Sequence, residues 1–150
     1  MSEFSIPGLR LGVAQAGIKH EGRDDLTLIE IAEGSSTAAV FTLNAFRAAP
    51  VVVAQRNNAN QDARYILINS GNANAGTGKP GMNACEASCA AVAKLTSDVP
   101  TRVLPFSTGV IGELLPVDKI EATLPEAMSC LLYTSPSPRD RNVSRMPSSA

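Results

Sequence analysis

The sequence predicts a mixed α/β domain, on three observations. Leu26–Ala32 alternates apolar and polar side chains, the period of a half-buried strand. Tyr65–Ile68 is a short apolar run closed by a turn, the pattern of a buried strand. Over Gly81–Thr96, Met82, Cys85, Cys89, Val92 and Leu95 recur at helical spacing and form one apolar face. Strands interleaved with helices point to α/β rather than to an all-α or all-β chain.

The remaining elements follow in order. Thr37–Thr42 reads as a second strand and Val103–Phe106 as another short one. In the Gly81–Thr96 helix, Ala84, Ala87, Ala90, Ala91 and Ala93 supply helix propensity and permit close packing. Cys85 and Cys89 are expected on its apolar face as small core residues. Val117–Met128 reads as a second helix, with Pro125 arguing against its last turn. No internal repeat is visible.

Composition narrows the function. The 150 residues suit one domain, and 44% of them are hydrophobic, enough for a core. The net charge is −1 and no basic stripe is present, so no nucleic-acid partner is expected. No apolar run approaches the roughly 18 residues of a membrane helix, and Met1-Ser2-Glu3-Phe4 does not open a secretion signal. A cytoplasmic protein without membrane association is the expectation. Three cysteines and one histidine, His20, which lies between Lys19 and Glu21, leave no pattern for a zinc site or a Ser-His-Asp triad. No metal and no resident cofactor are expected.

The chain divides at residue 130. Residues 1–129 alternate short apolar runs with Gly- and Asn-rich turns, whereas residues 130–150 are rich in Ser and Pro and carry Arg139, Arg141 and Arg145 against Asp140. One reading of this tail is a disordered Ser/Pro segment. The other is a non-native tail. Cys130 through Asp140 and Ser144 through Ala150 read as the translation of a transposase-type sequencing adapter, in one frame across an index that spans Arg141, Asn142 and the start of the Val143 codon.

Two glycine-rich stretches are candidates for function. Asn69-Ser70-Gly71-Asn72-Ala73-Asn74-Ala75-Gly76-Thr77-Gly78 lies between a strand and a helix, as phosphate loops do. However, Pro80 follows Lys79 where a Walker motif needs Ser or Thr, and Ala73 stands where it needs Gly. A tight connection built on left-handed Gly and Asn is the simpler reading. In Pro105-Phe106-Ser107-Thr108-Gly109-Val110-Ile111-Gly112-Glu113 a strand ends in Ser-Thr-Gly, where the Thr108 hydroxyl and the Gly109 amide are adjacent donors of the kind that make an oxyanion hole. By itself that tripeptide carries little, since most Ser-Thr-Gly turns are only turns.

Six segments in order resemble the ornithine acetyltransferase (glutamate N-acetyltransferase) family of arginine biosynthesis. They are Gly17-Ile18-Lys19, Asp25-Leu26-Thr27-Leu28-Ile29, Val40-Phe41-Thr42-Leu43-Asn44, Ala48-Ala49-Pro50-Val51, Asn69 through Ala75, and Ser107 through Glu113. The resemblance covers about residues 8–129. It implies an α/β sandwich with a mixed sheet, here incomplete, with residues 1–129 forming the N-terminal part of the α subunit. It further implies a precursor that cuts itself before a threonine. That threonine opens the β subunit and carries acetyl from N-acetylornithine to glutamate, in an α2β2 assembly, with acetyl-CoA a further acetyl donor in some members. An N-terminal threonine can use its own amine as base, so no histidine is needed. Thr108 and Gly109 take the oxyanion role by the same resemblance.

The family's cleavage stretch, Lys-Gly-Ser-Gly-Met-Ile followed by Met-Ala-Thr-Met-Leu, is absent from this sequence. Ala122-Thr123-Leu124 lacks the glycine-rich lead-in and precedes Pro125, so it is no substitute. The chain alone is therefore expected to be inactive. The competing readings are a self-cleaving aminopeptidase of related architecture, which would lack the Asn69–Ala75 run, and a small non-enzymatic α/β binding domain with a disordered tail.

Overall fold

The computed structural model describes residues 6–131. Four strands form one mixed sheet in the order β1 (Leu9–Ala14), β2 (Leu26–Ile31), β3 (Tyr65–Asn72), β4 (Val103–Val110). β1–β2 and β2–β3 are antiparallel, and β3–β4 is parallel. Helix α1 (Ala49–Asn60) precedes β3. Helix α2 (Gly78–Thr96) and a short 3-10 turn (Pro100–Arg102) connect β3 to β4, and α3 (Val117–Ser129) follows. The architecture is mixed α/β.

The pleat explains which face is covered. Ala14, Leu26, Leu28, Tyr65, Leu67 and Val103 project to one side, and there they meet Cys85, Cys89 and Val92 of α2 and Ile120, Leu124 and Ala127 of α3 in one buried cluster. Each large member stabilises the fold by about 1.5–3 kcal/mol. Over β1 the approach is closest: a Cβ on Gly12 would strike the Ala127 carbonyl. The opposite face carries Leu11, Val13, Ile29, Ile66, Ile68 and Phe106. At one end of this face Ile31 and Leu104 are buried with Ala54 and Ala63, and Phe41 and Ile66 pack against that cluster; at the other end Phe106 is 42% exposed.

Helix α1 protects an edge instead. Asn57 is buried, and its Nδ2 donates to the carbonyls of Val103 (2.8 Å) and Pro100 (3.2 Å). The Val103 carbonyl at the free edge of β4 and the Pro100 carbonyl of the preceding turn thereby gain a partner. Pro50 sits in the first turn of α1, where its fixed φ suits a helix start and no hydrogen bond is forfeited. Helix α2 ends at Ser97, whose left-handed φ of 56° turns the following Asp98 amide back onto the Ala93 carbonyl at 2.9 Å.

Several expectations are corrected. Thr37–Thr42 forms no strand: it pairs with no strand of the sheet and Val40 is fully exposed. β3 and β4 continue to Asn72 and Val110, beyond the expected ends at Ile68 and Phe106. Pro125 lies inside α3, on its exposed side, and the helix runs on to Ser129. Leu95 stands 39% exposed rather than on the buried face of α2. β1 and α1 were not anticipated. α3 ends one residue before the change of composition at 130, and Leu131 still packs into the core. The rest of the 130–150 tail lies outside the described residues.

Candidate active site

The parallel pair β3–β4 ends with Ser70 opposite Thr108, Gly71 opposite Gly109 and Asn72 opposite Val110. The carboxyl ends of parallel strands are where α/β sheets commonly place ligands. Thr108 lies on the open face with Phe106. Its hydroxyl is engaged by no other described group. Gly109 has φ +133°, a conformation that L side chains rarely adopt, and its α-carbon packs directly against the backbone of Gly71 and Asn72. The sequence-predicted pair Thr108 and Gly109 is thus brought together at the end of β4, within the strand rather than in a turn after it.

Gly71, with φ +106°, is covered on its other side by Lys19: a Cβ there would lie 2.8 Å from Lys19 Cβ. Lys19 in turn reaches both carboxylate oxygens of Glu113 at 2.9 Å. The loop carrying Lys19 is fixed by buried Asp25, whose two carboxylate oxygens accept the Ala16 and Ile18 amides, each at 2.6 Å. Carboxylate–amide bonds of this kind are charge-assisted and short.

The asparagines form a connected network. Asn69, Asn72 and Asn74 are all buried. The Asn72 Oδ1 accepts the Asn74 amide (2.7 Å), and the Asn74 Nδ2 donates to the Gly81 carbonyl at the start of α2 (2.9 Å). Left-handed Asn74 (φ 47°), with Gly76 (75°) and Gly78 (60°), turns the chain from β3 into α2, as the Gly/Asn connection predicted. Beside this turn an open hollow of about 370 Å³ is lined by Phe46, Arg47, Asn74, Thr77 and Met82.

Lys19, Asp25, Asn69, Asn72 and Glu113 make the hydrogen bonds that order the loops at this end of the sheet, and sequence reasoning gave none of them a role. The available signal was an asparagine series, polar yet following directly on an apolar strand, where each side chain needs a partner. The cysteines stand apart from this end. Cys85 and Cys89 are buried in α2. The Cys85 thiol is pushed far above its ordinary range by its hydrogen bond to Cys89 and by burial. His20 is exposed. Among the described residues no group of three or more His, Cys, Asp or Glu could hold a metal, and no helix is long and apolar enough to cross a membrane.

Fold and site together place the chain among mixed α/β proteins that gather polar groups at the carboxyl ends of a parallel strand pair. More particularly, it belongs to the ArgJ family, whose sequence profile matches residues 10–144. Over 126 residues, 84% of this chain, it is 62% identical to the arginine biosynthesis bifunctional protein ArgJ of Methylococcus capsulatus and 54% identical to that of Pseudomonas syringae pv. tomato. The match spans 31% of the length of each of these relatives. Among solved structures, the arginine biosynthesis bifunctional protein of Bacillus halodurans superposes with a TM-score of 0.75 at 36% identity, covering 81% of this chain and 65% of that one. Ornithine acetyltransferase from Mycobacterium tuberculosis, complexed with ornithine, gives a TM-score of 0.75 at 34% identity, covering 85% of this chain and 69% of that one.

Proposed function

We propose that this chain is the N-terminal part of a glutamate N-acetyltransferase that moves acetyl from N-acetylornithine to glutamate, and that its contribution to the chemistry is the pair Thr108 and Gly109. The observation that carries this reading is their position at the end of β4, opposite Ser70 and Gly71, in a chain of the ArgJ family. The ornithine held by the Mycobacterium tuberculosis protein supports a substrate of that type.

In this reading, a threonine beyond the chain attacks the acetyl carbonyl of N-acetylornithine. Its own α-amine takes the hydroxyl proton. The carbonyl oxygen becomes an oxyanion, held by the Thr108 hydroxyl and the Gly109 amide. Collapse breaks the C–N bond, and the proton passes to the departing ornithine amine. The acetyl-threonine ester is then attacked by the neutral amine of glutamate through a second oxyanion in the same place; its collapse breaks the ester C–O bond, and the threonine oxygen takes up the proton that the glutamate nitrogen loses. The working assembly in this reading is an α2β2 unit whose β subunit comes from the same precursor.

The test is to recover the downstream coding sequence, express the full protein and follow labelled acetyl from N-acetylornithine to glutamate. The expected result is transfer, together with a second subunit beginning at threonine. A full-length protein that neither transfers acetyl nor cleaves itself contradicts the proposal.

A further inference from the structure

We infer that Asn69 and Asn72 act together as a clamp on both ends of the segment 107–114, and so are positioning residues for Thr108 and Gly109. The inference rests on the oxyanion reading of that pair. On the near side, the Ser107 hydroxyl donates to Asn69 Oδ1 at 2.5 Å. On the far side, Asn72 Nδ2 donates to the carbonyls of Glu113 (3.2 Å) and Leu114 (3.1 Å). The two halves are joined, because Asn69 Nδ2 donates to the Asn72 carbonyl at 2.8 Å. Both side chains are buried, at 4% and 3% exposure, so these bonds do not exchange freely with water.

The network also dictates the residue type. Asn72 Oδ1 faces an N–H, that of Asn74, while Nδ2 faces two carbonyls. Asn69 Oδ1 faces a hydroxyl while its Nδ2 faces a carbonyl. Each position thus needs an acceptor and a donor on one short planar group, which an amide supplies and a carboxylate does not. Asp at 72 would set an anionic oxygen against two carbonyl oxygens. The backbone strengthens the same hold: the Ala73 amide donates to Val110 and the Gly112 amide to Ala75. Between the two grips, Thr108 and Gly109 pair with Ser70 and Gly71 in the β3–β4 ladder, and both remain exposed. An oxyanion hole is effective only if its donors are fixed before the reaction, and a small misplacement suffices to lose much of the rate.

The test uses full-length, self-cleaved enzyme carrying this segment, with Asn72→Asp, Ser107→Ala, Ser107→Thr and Thr108→Val. Two quantities are read: steady-state kinetics and the hydrogen exchange of peptide 107–114. Asn72→Asp and Ser107→Ala are expected to speed exchange in that peptide and lower kcat on the order of 10- to 100-fold, with KM nearly unchanged. Ser107→Thr, which keeps the hydroxyl, should restore both. Thr108→Val should lower kcat without altering exchange. Unchanged exchange in both Asn72→Asp and Ser107→Ala overturns the clamp. Faster exchange with unchanged kcat overturns the positioning role. Full turnover in Thr108→Val removes the oxyanion reading, and the positioning role with it, while exchange still decides whether the clamp exists. Should Asn72→Asp fail to fold, the Ser107→Ala and Ser107→Thr pair decides alone.

Discussion

Gly71 and Gly109 face one another across the parallel β3–β4 pair so closely that a Cβ on Gly109 would collide with the Gly71 carbonyl and lie 2.5 Å from the Asn72 nitrogen. The obstacle is backbone, which has no rotamer to escape into. Gly109→Ala therefore adds backbone strain of about 1–3 kcal/mol to overpacking of about 1–3 kcal/mol. Gly22→Ala is the control, since Gly22 also has a positive φ but nothing lies within 4 Å of its added Cβ. Thermal and urea unfolding of the full-length protein should show a large loss for Gly109→Ala and a loss of about 1 kcal/mol for Gly22→Ala. Equal losses in the two variants would contradict the close approach.

Burial of the cysteines sets their reactivity. Hydrogen bonding to Cys89 and burial keep the Cys85 thiol protonated, and a protonated thiol is a poor nucleophile. At pH 8 a thiol reagent should modify exposed Cys130 while sparing Cys85 and Cys89, with all three reacting in denaturant. The shift is upward, so its contribution to stability is complete below the ordinary value of 9.0. It declines as the pH rises above that, because the unfolded thiol then ionises and the folded one does not. Peptide mapping by mass spectrometry after labelling is the check, and modification of Cys85 in the native protein at pH 8 is the contrary outcome.

The uncovered sheet face and the loop before α1 expose large apolar side chains. Val40 and Leu43 are fully exposed, and Phe46, Ile111 and Leu114 are largely so. Exposed apolar side chains in this number favour association. The 150-residue chain expressed alone should self-associate in light scattering, and it should neither cleave itself nor transfer acetyl from N-acetylornithine to glutamate. A monodisperse monomer would show that the face needs no cover, and acetyl transfer by this chain would show that the nucleophile lies within it.

The composition break at Cys130 has a separate test in DNA. An independent long read of the source locus should depart from this sequence at or near codon 130. Recovery of the same codons through Ala150 would establish the tail as a genuine part of the protein.

What the sequence disclosed follows from where its periodicities were unopposed. β2 and α2 each bury one face, so alternation in Leu26–Ile31 and helical spacing in Met82–Val92 were visible directly. β1 was hidden because its packed side is Arg10, Gly12 and Ala14, while Leu9, Leu11 and Val13 lie on the other face. α1 was hidden because Val51-Val52-Val53 has strand propensity and Asn57-Asn58-Ala59-Asn60 has the composition of a turn. Pro50 at its start and Asn57 at the β4 edge decide the matter, and the latter contact is tertiary. Thr37–Thr42 misled for the opposite reason: its composition suits a strand, but no sheet edge receives it. At the site, Thr108 and Gly109 were legible as adjacent donors. The Asn69–Ser107 and Asn72–Glu113 contacts were not, since they join residues separated by 38 and 41 positions.

The central claim is that Thr108 supplies a hydrogen bond to an oxyanion, and turnover of the Thr108→Val enzyme tests it most directly. Valine keeps the shape of threonine and removes the hydroxyl. Self-cleavage that drew on the same donors would confound the comparison, so the measurement belongs on full-length enzyme that has already been cut. Loss of one such donor lowers turnover on the order of 10²–10³, about 2.7–4 kcal/mol. Because the bond strengthens as charge develops, KM for N-acetylornithine should change little. The account predicts a kcat reduced by that factor with KM nearly constant, and an unchanged kcat would leave Thr108 as a residue of the strand end and nothing more.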